Sequence, residues 1–297
     1  MDSAKGTVAA MTMVRGEDFF LERWIAYYRQ YLPANQIYVI NHGGLPEVAD
    51  IARDVNVINL PYDETKKAVN QRRWNILSNH GSALTQFYNW VICGDVDEFV
   101  IVDPDVSENL CDYLMTKDGA DRVPALICFA LEMVHVPELE PSPIVDGEKI
   151  LAKRGVYRLN SNYAKPCVLS QPITFSAGGH AGTQRKLVID PHLYNIHMRF
   201  VDYDMCMARL DKGLQRRLSG KSEEEQARLK ASKWGWNSAA KTFDALSKRH
   251  PVATTVDHPE FRERMLSHPI KKGRLTYMGG GRPKEQYQLP DRFRDLV

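Results

Sequence analysis

Short apolar segments alternate with helical ones through the first third of the chain, and this alternation restricts the fold more than any other feature. Val8 to Val14 reads as a buried strand, with Arg15-Gly16-Glu17-Asp18 as the turn after it. Phe20, Trp24, Tyr27, Tyr28 and Tyr31 then recur at the spacing of one helix face, and Pro33 ends that helix. Ile37 to Ile40 is a second strand, closed by Asn41-His42-Gly43-Gly44. Val55 to Leu60 is a third, a helix follows over Lys66 to Asn79, and Trp90 to Cys93 is a fourth. Strands separated by helices predict an α/β fold with a mostly parallel central sheet flanked by helices. Ligands bind such sheets beyond the carboxyl ends of the strands. The polar or glycine-rich segments Arg15 to Asp18, Asn41 to Gly44 and Gly94 to Glu98 mark that edge.

The second half is less regular. Ala125 to Ala130 is a strand and Pro137 to Pro143 a loop, and Lys165 to His197 mixes short strands with Gly178-Gly179-His180. Ser222 to Ser247 reads as helical, interrupted around Trp234-Gly235-Trp236, and the basic end contains Gly279-Gly280-Gly281, read as a mobile tail. The expected division is a main domain over 1–215 and a helical, irregular extension with a basic tail over 216–297.

Composition removes several classes of protein. With 43% hydrophobic and 26% charged residues, the chain is globular rather than disordered. A formal net charge of +2 demands no nucleic-acid partner. Five cysteines, scattered and without a Cys-x-x-Cys pair, form neither a disulfide framework nor a zinc knuckle. The polar start and the lack of an apolar run approaching about 18 residues predict a cytoplasmic protein. Peripheral contact with the inner membrane surface through Lys271, Lys272, Arg274, Arg282 and Lys284 is the variant of that expectation.

Asp-x-Asp occurs at Asp95-Val96-Asp97, Asp103-Pro104-Asp105 and Asp202-Tyr203-Asp204, and only the first follows an apolar strand through a single glycine. Two carboxylates at a strand end can share a hard divalent cation with phosphate oxygens, and the cation reverses their repulsion of a diphosphate. The plainer reading is that Asp95, Asp97 and Glu98 cap a turn. Asp103-Pro104-Asp105 reads as a solvated turn.

Here a resemblance enters. Val14-Arg15-Gly16-Glu17-Asp18-Phe19-Phe20 with Trp24 and Tyr27, then Tyr38 to Gly44, and above all Gly94-Asp95-Val96-Asp97-Glu98-Phe99-Val100, resemble segments of family-two-like glycosyltransferases of the Rossmann-like GT-A fold. The resemblance implies a hexosyltransferase-like enzyme, a UDP- or GDP-sugar donor, Mn²⁺ or Mg²⁺, and transfer to a glycan or other hydroxyl acceptor. Such a reaction serves glycan or surface-polysaccharide synthesis, by inversion or retention. By position, it implies Asp95 and Asp97 at the metal, and Arg15, Glu17, Asn41, Gln71, Asn75, Asp95 and Lys165 around the donor. Arg72 and Arg73 are alternatives for meeting the diphosphate. Asn41 replaces the usual aspartate and Gly16 the usual asparagine.

In the second half His180 is the expected third metal ligand and His197, in Asn195-Ile196-His197, its alternative, since imidazole suits Mn²⁺. The glycines beside His180 would let the backbone move over a substrate. Glu132 is the expected base for the acceptor proton, with Asp97 the other catalytic carboxylate and His135 the neighbouring rival. His192 reads as structural, and Trp234 and Trp236 as candidate sugar-stacking platforms. Two other classes stay open: a nucleotidyltransferase or phosphohydrolase using Asp97, and a non-catalytic glycan-binding protein.

Overall fold

The computed structural model describes residues 6–62, 69–231 and 236–297. In chain order its first elements are Gly6–Val14 (β1), Asp18–Tyr28 (α1), Ile37–His42 (β2), Pro46–Ile51 (α2), Asn56–Leu60 (β3), Val69–Leu84 (α3), Tyr88–Gly94 (β4), Glu98–Val102 (β5) and Leu110–Met115 (α4). Ala125–Val134 (β6), Ile150–Lys153 (α5), Val156–Leu159 (β7), Val168–Leu169 (β8), Ala181–Gly182 (β9) and Ile189–Phe200 (β10) follow. Tyr203–Leu218 (α6), Glu223–Ala231 (α7), Trp236–Leu246 (α8), Pro259–Ser267 (α9), Ile270–Lys272 (β11), Leu275–Tyr277 (β12) and Gln286–Gln288 (β13) complete the chain. Two compact units emerge, one of Met1–Leu131, Asn160–His197 and Asp257–Arg282, the other of Glu132–Leu159, Met198–Val256 and Pro283–Val297.

The first unit is the expected α/β layer. Its strands lie in the order β6-β8-β4-β1-β2-β3. β4, β1, β2 and β3 run parallel, and β8 runs antiparallel between β4 and β6. Met11, Met13 and Val91 from the strands meet Trp74 and Leu77 of α3 in one buried cluster, which is why α3 lies flat on the sheet. The chain moves outward from β1 through β2 to β3, then returns to the other side of β1 as β4. Such a reversal opens a crevice at the carboxyl ends of the two central strands. There Thr12 Oγ1 donates to the Gly94 carbonyl at 3.0 Å and ties β1 to β4.

The aromatic stripe of α1 is buried as its spacing predicts, at Phe20, Trp24, Tyr27 and Tyr28. Two of its hydroxyls also satisfy the backbone of β5. Tyr27 Oη donates to the Val100 carbonyl at 2.8 Å, and Tyr28 Oη accepts from Val100 N at 3.2 Å. β5 pairs antiparallel with β10, a strand of 12 residues where the sequence suggests only short ones.

In the second unit β7 pairs antiparallel with β13, and α6 packs on α8 around Phe200, Cys206, Leu210 and Phe243. Asp202 caps α6 by accepting from Met205 N at 3.0 Å and pairs with buried Arg154 at 2.9 Å. The third Asp-x-Asp is therefore a helix cap and an ion pair. The second is a turn as read, Asp105 N donating to Asp103 Oδ1 at 3.1 Å, although Asp103 is buried rather than solvated.

The end of the chain differs from the reading as a mobile tail. β11 and β12 form a hairpin that continues through β9 into a small sheet, and residues 257–282 belong to the first unit. Gly281 N donates to Ser161 Oγ and Gly281 O accepts from Ser161 N, both at 3.1 Å, so the triple glycine is pinned. No helix among the described residues is long and apolar enough to cross a membrane. The five cysteines are buried and unbridged.

His258, at the start of α9, stacks on Phe129 with ring centroids 6.0 Å apart. Burial, aided by the charge of Arg262, pushes its imidazole from 6.5 down to about 4. The unfolded chain therefore takes up this proton first on acidification, and stability falls as pH drops from 6.5 toward 4. Allowing for the imidazole's residual exposure to solvent, the loss is on the order of 1–3 kcal/mol. His258→Gln should flatten the dependence of Tm on pH across that window, as followed by circular dichroism. An unchanged slope would contradict the assignment.

Candidate active site at the carboxyl edge of the sheet

Strand β4 ends at Gly94, and the chain turns at once: Glu98 N donates to the Asp95 carbonyl at 3.0 Å, closing a four-residue turn. Aspartate suits such a turn because its short polar side chain tolerates the tight backbone. The turn separates three acidic side chains into different surroundings. Asp95 and Glu98 are drawn into a buried charge network, while no hydrogen bond or ion pair engages half-buried Asp97 among the described residues.

The network is centred on Lys165, which the segment entering β8 delivers beneath the turn. Its ammonium, 1% exposed, lies 2.5 Å from Glu98 Oε1 and 3.2 Å from Asp95 Oδ2. Arg73 of α3 completes the set, pairing with Asp95 Oδ1 while its Nη2 donates to the Met13 carbonyl at 2.6 Å. Arg73 thereby joins the end of β1 to the end of β4. Burial works against the charge on Asp95, but Arg73 and Lys165 hold its carboxyl well below the usual range. Burial likewise works against the charge on Lys165, yet Glu98 and Asp95 hold its ammonium above its ordinary value. Both remain ionised because each is the other's counter-charge.

The register of β5 against β10 sets His197 opposite Glu98. One ligand-capable atom from each of Asp97, Glu98 and His197 lies within 4.8 Å of the others. Tyr163 stacks on the imidazole at 3.7 Å between centroids. Asn195, two residues away, donates to Glu98 Oε2 at 3.4 Å and to the Tyr163 carbonyl at 3.0 Å. Two oxygens and an imidazole nitrogen fit a borderline-hard divalent cation, and Asp97 is a carboxylate with no competing partner. The donor set therefore fits Mn²⁺ or Mg²⁺. Asp95 differs, since both its oxygens already face cationic side chains.

His180 is not grouped with these three. Its Nδ1 meets the Asn162 carbonyl at 2.7 Å, an acceptor, so that nitrogen bears the proton. Burial pushes its pKa to about 4. The glycines before it have a packing role rather than the mobility read from the sequence. A Cβ on Gly178 would come within 2.6 Å of His180 Nε2, and one on Gly179 within 2.2 Å of the Trp74 ring.

Beside the carboxylates is a cavity of about 160 Å³, lined by Met13, His42, Leu60, Tyr62, Arg72 and Arg73 among others. It opens at the carboxyl ends of β1, β2 and β3. Arg15 arches toward it, its guanidinium 3.7 Å from the Tyr62 ring centroid and its Nη1 donating to the His42 carbonyl at 3.1 Å. Burial lowers the His42 pKa, and Arg15, Arg73 and Arg72 lower it further, as a locally positive potential requires.

The other expected donor residues sit as follows. Asn41 is buried and its amide is consumed by Leu45, accepting from its N and donating to its O at 2.9 Å each, so it shapes the loop after β2. Gln71 and Asn75 do share one face of α3, hydrogen-bonded to each other at 2.8 Å and exposed. Glu17 starts α1, its carbonyl accepting from Phe20 N and Leu21 N. Glu132 belongs to the second unit, where its buried carboxylate lies 2.6 Å from Arg158 Nε. His135 receives a hydrogen bond from Tyr203 N at Nδ1 and bonds the Glu140 carbonyl through Nε2, a structural role. His192 is half-buried beside Tyr113, with centroids 6.3 Å apart. Trp234 lies outside the described residues, as does the side chain of Trp236. Sequence reasoning missed the pairing of Arg73 with Asp95 and the roles of Glu98, Tyr163 and Asn195 around His197.

No family model matches the sequence, and no curated protein matches it. Among solved structures, a mannosyltransferase from Pyrobaculum calidifontis, in complex with GDP-Man and Mn2+, is similar to the chain at 12% identity and a TM-score of 0.37. The likeness spans 82% of this chain and 74% of that one, and is too faint to carry any argument about chemistry.

Removing the central ammonium leaves buried Glu98 without its counter-charge and Asp95 with Arg73 alone. Lys165→Met should cost about 3–5 kcal/mol in urea unfolding. A loss under about 1 kcal/mol, the size of a surface pair, would contradict the network's role.

Proposed function

We propose that the chain is a divalent-metal-dependent glycosyltransferase of GT-A type that takes a UDP- or GDP-sugar as donor and a hydroxyl group as acceptor. The observation that carries this reading is one juxtaposition. A cation-lined cavity and a carboxylate–imidazole trio flank the same reversal point of a parallel sheet, where such folds bind nucleotides.

Asp97, Glu98 and His197 would hold Mn²⁺ or Mg²⁺, which supplies Lewis-acid stabilisation of a departing phosphate oxygen. The chain's own residues account for the rest. Arg72, exposed on the cavity rim, meets a diphosphate, while Arg73 is fixed by Asp95 and Met13 and adds its charge without moving. Tyr62 offers a ring face for a nucleobase, and Arg15 closes over it. Lys165 cancels charge on Asp95 and Glu98, so that three acids crowded at one turn do not repel the donor. In the reaction the bond between the sugar's anomeric carbon and phosphate oxygen breaks and the nucleoside diphosphate leaves with the electron pair. The acceptor oxygen bonds that carbon and its proton passes to solvent water.

Incubation of the full chain with UDP- and GDP-sugars, with and without Mn²⁺, should release nucleoside diphosphate only when metal is present. Asp97→Asn, an isosteric change, removes one ligand charge from a side chain that no hydrogen bond or ion pair engages among the described residues. It should lower turnover by about 100-fold or more while leaving Tm within about 1 °C. Unchanged turnover in this variant would refute the metal assignment. Release of inorganic phosphate or diphosphate would favour a phosphohydrolase or nucleotidyltransferase instead.

A further inference from the structure

The hairpin of β11 and β12 brings exposed cations and exposed apolar side chains together. β11 is the free edge of the three-stranded sheet, and its residues Ile270, Lys271 and Lys272 are all exposed. Ile270 stands opposite Tyr277 and Lys272 opposite Leu275, so these four side chains share one face of the hairpin. The Lys272 ammonium lies 5.3 Å from the Tyr277 ring centroid on that face. Exposed Arg274 follows Gly273, whose φ of 61° forms the turn, and Leu266 lies in the last turn of α9, four residues before Ile270. Ile270 is 49% and Leu266 45% exposed, among the largest apolar exposures of the described residues. No acidic side chain pairs with Lys271, Lys272 or Arg274 among the described residues.

We propose that this hairpin is a docking surface for a membrane leaflet rich in anionic phospholipid. Lysines on an edge strand by themselves deter pairing with another strand. Exposed Ile270 defeats that purpose, since it adds apolar surface to the edge strand itself, and exposed Leu266 adds more in the helix just before it. The combination suits an interface where apolar side chains enter the acyl boundary and cations stay at the headgroups. Unpaired positive charge complements an anionic leaflet, and each lysine or arginine near it contributes on the order of a fivefold gain in binding. Docking there does not rest on the catalytic reading, because none of these residues belongs to the candidate site.

The test is flotation of the full chain with vesicles of phosphatidylcholine alone and of phosphatidylcholine mixed with phosphatidylglycerol. The chain should float with the mixed vesicles only, and added salt should release it. The double variant Lys271→Ala/Lys272→Ala should bind about 10-fold more weakly or worse. Ile270→Ser should weaken binding while keeping its salt dependence. All three positions are exposed, so thermal melting should stay unchanged. Equal flotation with both vesicle types, no flotation with either, or variants that bind like the parent would overturn the proposal. So would a dimer in light scattering that these variants abolish, which would make a second copy the partner.

Discussion

A single ammonium, sealed from solvent between two carboxylates, organises the carboxyl edge of the sheet. Lys165 touches Asp95 and Glu98 together, and Asp95 in turn receives Arg73, which holds the end of β1. Charges buried this deeply are tolerated only as a set, because removing any one leaves its neighbours facing a medium that cannot solvate them. The consequence is rigidity in the turn that follows β4. Asp97 emerges from that turn with no hydrogen-bond or ion-pair partner among the described residues, at a position its neighbours have fixed.

The surroundings extend the same logic outward. Tyr27 and Tyr28 bond the backbone of β5 from the helix side, and β10 pairs it from the sheet side, so Glu98 and His197 face each other at a set register. Tyr163 and Asn195 then fix the imidazole plane and the second Glu98 oxygen. On the other flank burial lowers His42, and Arg15, Arg73 and Arg72 around the cavity over β1 to β3 add to the same shift. On the proposed function, a carboxylate–imidazole trio beside a basic cavity would receive a metal–diphosphate complex, the cation at one end and phosphate oxygens at the other.

Much of the first unit was legible from residues alone, because strand and helix periods differ and each parallel strand was bounded by turn residues. The stripe from Phe20 to Tyr28 declared its buried face for the same reason. Asp95 and Asp97 stood out through their place after an apolar strand, but their difference did not. That Asp95 is consumed by Arg73 and Lys165 depends on partners 22 and 70 residues away, which no local pattern encodes. The pairing of His197 with Glu98 likewise follows from a register between β5 and β10, and the length of β10 was hidden by Pro191 and by polar residues inside the strand. Gly178 and Gly179 misled toward mobility, since a glycine required by a tryptophan ring and one required by a hinge look alike in sequence. Residues 257–282 were grouped with the C-terminal extension for a similar reason, as a hairpin that joins a distant two-residue strand leaves no local trace.

The most direct test is a crystal grown with Mn²⁺ and GDP, examined for anomalous scattering at the manganese edge. A peak bonded to Asp97, Glu98 and His197, with diphosphate oxygens completing its shell and Asp95 still held by Lys165 and Arg73, is the predicted result. A peak on Asp95 with Lys165 displaced, or manganese bound away from this turn, would contradict it.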